Sequence, residues 1–173
     1  LHVVVEALGL LDERRRQQLH LRVVGNLDLS HDDYLTGIEQ RICELGLGET
    51  IEFIGTVDDD SLWNLYETSH VLVSASLHEG LCVPVVEAYL AGCRAIGTTA
   101  GNLPFIVSPT DPIVEAGDPS ALATALAAMI DDVSSGRPHN TAGAAKIIST
   151  YSEQTARDAL HSAVVALAAD LVH

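Results

Sequence analysis

A chain of 173 residues that is 47% hydrophobic and 19% charged holds enough apolar material for one folded domain and is too apolar for a disordered segment. Its net charge of −15, with Lys146 the single lysine, argues against a nucleic-acid or anionic-membrane partner. No apolar run reaches the roughly 18 residues of a membrane span, and the three cysteines, Cys43, Cys82 and Cys93, lack C-x-x-C spacing, which speaks for a reducing compartment and against a disulfide framework or zinc site.

In chain order, Val3–Leu11 carries a helical pattern and leads into the mixed-charge stretch Asp12–Arg16. Leu21–Gly25 reads as a strand closed by glycine, followed by a polar loop over Asn26–Asp33. Leu35, Ile38, Ile42 and Leu45 recur three or four apart, so a helix follows and stops at Gly46 or Gly48. Ile51–Gly55 is the next strand and Ser61–Glu67 a short helix with Leu62, Leu65 and Tyr66 on one side. The run Asp58-Asp59-Asp60 matches a D-x-D metal pattern, but its place between a strand end and a helix makes it an acidic helix N-terminus. His70–Ser74 reads as a strand, Pro84–Ala91 as a helix ended by Gly92, and Arg94–Gly97 as another strand. Beyond Ile113-Val114 the pattern turns helical over Ser120–Asp131, Thr141–Thr150 and Glu153–Leu171, with a polar connection at Asp132–Asn140. Trp63 is expected to pack on the sheet, and Arg14-Arg15-Arg16 is too short for a nucleic-acid patch.

Strands and helices thus alternate through short, often glycine-made links. That order predicts an α/β fold: a Rossmann-like, doubly wound parallel sheet flanked by helices, with a helical C-terminal part. Ligands of such sheets bind beyond the C-terminal strand ends, where the glycines lie.

The densest chemistry falls between Ser74 and Ala88. Glu79 and Glu87 are eight residues apart across the Gly80 turn and Pro84, directly after an apolar strand. Gly80 lets backbone approach a ligand, and amides from Gly80 to Val83 at a helix start can meet an anion. Glu79 lies before the helix and Glu87 about one turn inside it, so the two are separated acceptors, not a paired acid and base. They suit a phosphorylated ligand with hydroxyls at both ends. Taken alone, the segment also admits a plainer account in which Glu79 caps the helix and Glu87 pairs with an exposed base. Cys82 is expected to pack behind the turn, and His78 remains a loop histidine beside Glu79.

Ser76, Glu79, Gly80, Pro84 and Glu87, followed by Ala88 and Ala91-Gly92, resemble the E-x7-E motif of the family 4 (group 1) glycosyltransferases, enzymes of two-domain GT-B architecture. Gly25, Phe53-Ile54-Gly55-Thr56-Val57 and Thr99-Ala100-Gly101-Asn102-Leu103-Pro104 resemble further family segments in order and spacing. The resemblance implies that residues 1–173 are a single donor-binding domain, cut from a longer protein. The N-terminal acceptor domain, the first strand of this domain and the diphosphate-binding Arg and Lys would all lie upstream.

It implies that Glu79 is the catalytic residue and holds donor-sugar hydroxyls, while Glu87 binds the ribose. Backbone of Gly80, Leu81, Cys82 and Val83 would contact the diphosphate and sugar, backbone around Val57 the base, and Gly25 would close a site strand. The implied reaction is a retaining hexosyl transfer from a nucleoside-diphosphate sugar to a sugar or lipid-linked acceptor. It would run without metal or other cofactor in a cytoplasmic enzyme, with peripheral membrane attachment of the whole protein left open, and the fragment alone is expected to be inactive. Two departures stand out: the turn reads Gly80-Leu81-Cys82 where the family often has Gly-Phe-Gly, and Phe105 replaces a common Glu. They leave open a non-catalytic nucleotide-sugar-binding or interaction domain of the same descent. An epimerase would need further catalytic acids, and a phosphorylase a pyridoxal lysine that Lys146 is poorly placed to supply.

Overall fold

The first helix, α1 (His2–Leu10), has no side-chain cap and is rich in β-branched valine, so its own propensity is weak. Burial holds it: Val3, Val4, Val5, Ala7 and Leu8 all enter the core. In the computed structural model, which describes residues 1–25, 32–136 and 141–151, α1 is followed by the single turn α2 (Glu13–Arg16), whose first turn is capped by Asp12. The predicted loop at Asn26–Asp33 falls largely outside the described residues, as do the end of the Asp132–Asn140 connection and the predicted helix at Glu153–Leu171.

Thereafter the chain alternates as β1 (Leu21–Val24), α3 (Asp32–Glu44), β2 (Ile51–Gly55), α4 (Asp59–Glu67), β3 (Val71–Val73), α5 (Val83–Leu90), β4 (Arg94–Thr98), α6 (Leu103–Ile106) and β5 (Ile113–Val114). Two helices, α7 (Pro119–Ser134) and α8 (Thr141–Tyr151), end the described part. Local chemistry accounts for several boundaries. Asp58 and Asp118 accept first-turn amides of α4 and α7, and Pro119 fits the first turn of α7, where its missing N–H costs nothing. Gly46, at φ +67°, closes α3 while the Leu47 amide reaches back to the Ile42 carbonyl. The triple-Asp run therefore serves a helix start, as expected. Trp63 departs from expectation: it is exposed on α4 and donates its indole N–H to Glu67 on the same helix, one turn along.

All strand pairs are parallel, in two pieces: β1–β2, and β3–β4–β5 with β4 central and most buried. A doubly wound sheet ordered 3-2-1-4-5-6 leaves these two pieces when its central first strand is removed. Between the edges of β1 and β3 lies a largely apolar cavity of about 970 Å³, walled by α1, α4 and α7. Leu1, the N-cap of α1, and Val4 and Leu8 within it face the cavity at helical spacing, as do Leu126, Met129, Ile130 and Val133 of α7.

The three-stranded piece is tied by a buried polar cluster. Asp111 accepts from the Tyr89 hydroxyl (2.9 Å), the Arg94 guanidinium (3.0 Å) and the Ala95 amide (3.0 Å), and Arg94 also reaches Asp132 (3.1 Å). The Tyr89 hydroxyl accepts the Ser108 amide in turn, so each polar group of this cluster has a partner. Against the Tyr89 ring, α8 presents Gly143, where a Cβ would sit 2.1 Å from a ring carbon.

Candidate functional site

The C-terminal strand ends and the loops that follow them gather the predicted residues in two groups. The first lines the cavity between the sheet pieces: Gly25 after β1, Thr56 and Val57 after β2, and Val83, Pro84 and Glu87 of α5. Gly25 (φ +139°) and Gly55 (φ +79°) both occupy backbone conformations that side chains disfavour, and the Gly25 amide donates to the Gly55 carbonyl at 2.9 Å. Nothing lies within 4 Å of a Cβ built at either position, so backbone conformation, not crowding, calls for glycine there.

Glu87 is half-buried on α5, and its carboxylate accepts the Tyr66 hydroxyl of α4 at 3.1 Å. Burial, and then the Glu87 charge beside it, holds the Tyr66 phenol above the usual tyrosine range, so at neutral pH it is a donor only toward that carboxylate. Where the plainer account put an exposed base beside Glu87, the structure has a tyrosine bond from the neighbouring helix. Tyr66 was legible only as an apolar position on α4, since no local signal links residues 21 apart.

The second group is the loop from Ser74 to Cys82. Glu79 is half-buried, flanked by exposed Leu77, His78, Gly80 and Leu81. It does not cap α5: the N-cap is Cys82, and no side-chain bond forms there. Among the described residues no hydrogen bond or ion pair engages the Glu79 carboxylate, and no salt bridge reaches Glu87. The Val83 amide is committed to the Leu81 carbonyl at 2.8 Å and the Val85 amide to the Cys82 carbonyl at 3.0 Å. That leaves the amides of Gly80, Leu81 and Cys82 as the donors of the turn. Cys82 is buried, its sulfur 3.6 Å from the Ser74 hydroxyl, and packs behind the turn as expected.

The predicted residues thus fall into a cavity set (Gly25, Val57, Val83, Glu87) and a loop set (Glu79, Gly80, Leu81, Cys82), joined where α5 begins. Among the described residues the one arginine on the cavity wall, Arg22, donates to the hydroxyls of Thr68 and Ser69 at 3.2 and 2.7 Å, at the start of its strand. No group of three or more His, Cys, Asp or Glu side chains able to hold a metal occurs among the described residues. No described helix is long and apolar enough to cross a membrane.

A family model described as glycosyl transferases group 1 matches residues 1–146. The mannosylfructose-phosphate synthase of Agrobacterium fabrum is 29% identical over 103 residues, covering 58% of this chain and 23% of that protein. The MMP alpha-(1->4)-mannosyltransferase of Mycolicibacterium hassiacum is 28% identical over 120 residues, covering 68% of this chain and 29% of its own length. Among solved structures, Anabaena Alr3699/HepE in complex with UDP superposes with a TM-score of 0.78 at 20% identity, over 95% of this chain and 44% of that one. The chain therefore spans under a third of these two curated relatives and under half of the solved neighbour.

Proposed function

Because this chain belongs to the group 1 glycosyl transferases, we propose that it is the donor-binding half of a longer two-domain enzyme. That enzyme transfers a hexose from a nucleoside-diphosphate sugar, with retention of configuration, to a sugar or lipid-linked acceptor held by the other domain. The observation that carries the reading is the meeting of Gly25, Val57 and Glu87 on the wall of one cavity, beside a turn whose amides remain free to bind an anion.

In this reading the base lies along the backbone at Val57, and Glu87, oriented by Tyr66, accepts the ribose hydroxyls. The amides of Gly80, Leu81 and Cys82 meet the diphosphate, adding to the partial positive charge at the start of α5. Glu79 accepts hydroxyls of the donor sugar. Cleavage of the glycosidic bond leaves negative charge on the departing diphosphate, so donors already aimed at it lower the barrier without reorganising. A net-acidic domain supplies little cation of its own, which assigns charge neutralisation to basic residues elsewhere in the longer protein. UDP is the first nucleotide to try, given the UDP held by the Anabaena neighbour. The reaction is proposed to run without a metal, in the cytoplasm.

The test is a thermal-shift screen of nucleotide-sugars on the longer protein, followed by kinetics of Glu79→Gln. A cognate donor at about a hundred times its Kd stabilises by about 2.7 kcal/mol. Glu79→Gln is expected to lower turnover about a hundredfold or more while leaving the melting temperature unchanged. Unaltered kinetics in that variant would remove Glu79 from the reaction.

A further inference from the structure

The Glu79 loop belongs to no helix or strand, yet one turn fixes its backbone at two points. At the end of β4, Thr98 is 2% exposed and donates its hydroxyl to the Ser76 carbonyl at 2.9 Å, while accepting the Ala100 amide at 3.3 Å. Three residues on, Gly101 sits at φ +53°, and a Cβ built there would lie 1.9 Å from the Glu79 carbonyl oxygen and 3.0 Å from the Glu79 nitrogen. The next amide, of Asn102, donates to that same carbonyl at 3.3 Å. Gly80, the glycine of the loop itself, has nothing within 4 Å of a Cβ and so does not set the loop's position.

From these contacts we infer that the Thr98–Asn102 turn positions the Glu79 carboxylate, with Gly101 as the seat of the Glu79 peptide and Thr98 as the tether of Ser76. This rests on the reading that Glu79 meets the donor sugar. Physically, β4 is the most buried strand of its sheet piece and serves as a rigid reference. Its turn passes that rigidity to an acid that lacks a side-chain partner among the described residues. A methyl group at position 101 meets backbone, which cannot swing aside like the tip of a side chain. The Glu79 peptide must move by about 1 Å or more, enough to misplace a reacting group and cost about a hundredfold in rate. Gly101 and Thr98 are positioning residues here, acting through Glu79 without touching the donor.

The experiment is a double-mutant cycle on the longer protein, with UDP-glucose and GDP-mannose as donors. Gly101→Ala is expected to lower kcat about a hundredfold with donor KM little changed, and to add almost nothing in the Glu79→Gln background. Thr98→Val, which strands the Ser76 carbonyl, is expected to lower kcat about tenfold, and Thr98→Ser, which keeps the hydroxyl, to retain it. Equal losses from Gly101→Ala with and without Glu79, or a Thr98→Ser as impaired as Thr98→Val, would overturn the positioning role. Full kcat in Glu79→Gln would instead overturn the reading of Glu79 itself, so the two failures are distinct.

Should Gly101→Ala not fold, the Thr98 pair carries the test. A donor-independent measurement closes it: in the longer protein, amide resonances of Ser76–Gly80 should shift in Thr98→Val and stay in place in Thr98→Ser. Resonances unmoved by Thr98→Val contradict the tether.

Discussion

The three-stranded piece β3–β4–β5 and the two-stranded piece β1–β2 contribute to the candidate site by different means. The former supplies both carboxylates and interlocks its loops through side chains: Asp111 with Tyr89 and Arg94, Tyr66 with Glu87, Thr98 with Ser76. The latter supplies backbone at strand ends, Gly25 and Val57, with the Gly25 amide bonded to Gly55. In the proposed reading Glu79 meets the reacting sugar and Glu87 the ribose, and acids so placed need fixed supports, because a small displacement is costly. On the same reading a flat nucleobase needs only a backbone edge and room to enter, which two glycines leave open.

The contrast can be broken most forcefully at its most buried tie. Asp111→Ala leaves Tyr89, Arg94 and the Ala95 amide without their shared acceptor, and is expected to cost about 3–5 kcal/mol of unfolding free energy in urea titration. A loss under 1 kcal/mol would show that the three-stranded piece does not depend on this cluster. In the two-stranded piece, Gly25→Ala places a side chain at φ +139° with open space around it. Its cost is backbone strain alone, about 1–2 kcal/mol by the same titration. A neutral effect would mean that β1 can relax, and that glycine there serves the ligand only.

Tyr66→Phe is milder: it removes one bond to Glu87 and leaves the packing. It should weaken nucleoside-diphosphate binding about three- to tenfold with kcat at saturation unchanged, as read by calorimetry and initial rates. A fall in kcat without a change in affinity would transfer Glu87 from binding to chemistry. Smallest in energy is a labelling prediction. Burial pushes the Cys93 thiol up to about 11, so it stays protonated through pH 8, and Cys82 is buried as well, whereas Cys43 is exposed. A maleimide at pH 8 should modify Cys43 alone in the folded chain. Rapid labelling of Cys82 would show that the Glu79 loop opens readily.

Much of this architecture is visible locally. The strands at Leu21, Ile51 and Arg94 announce themselves as short apolar runs, two of them closed by glycine, and α4 and α7 begin at acids that cap them. The E-x7-E spacing brings Glu79 and Glu87 to notice because both acids flank one turn. What local pattern cannot show is what crosses the fold. The Tyr66–Glu87 bond joins two helices, the Gly101 seat joins two loops, and Trp63 turns outward because Glu67, one helical turn on, accepts its N–H. The single turn α6 is too short for a periodic signal, and its exposed Phe105 would have argued against a helix facing the core.

The division of labour between the two carboxylates is tested most directly by calorimetric titration of UDP and UDP-glucose into the longer protein, for the wild type, Glu79→Gln and Glu87→Gln. Glu87→Gln should weaken both ligands by the same factor. Glu79→Gln should leave UDP affinity intact and abolish the difference between UDP-glucose and UDP. Equal weakening of UDP by both variants, or a sugar-dependent loss in Glu87→Gln alone, would contradict the assignment of Glu79 to the sugar and Glu87 to the ribose.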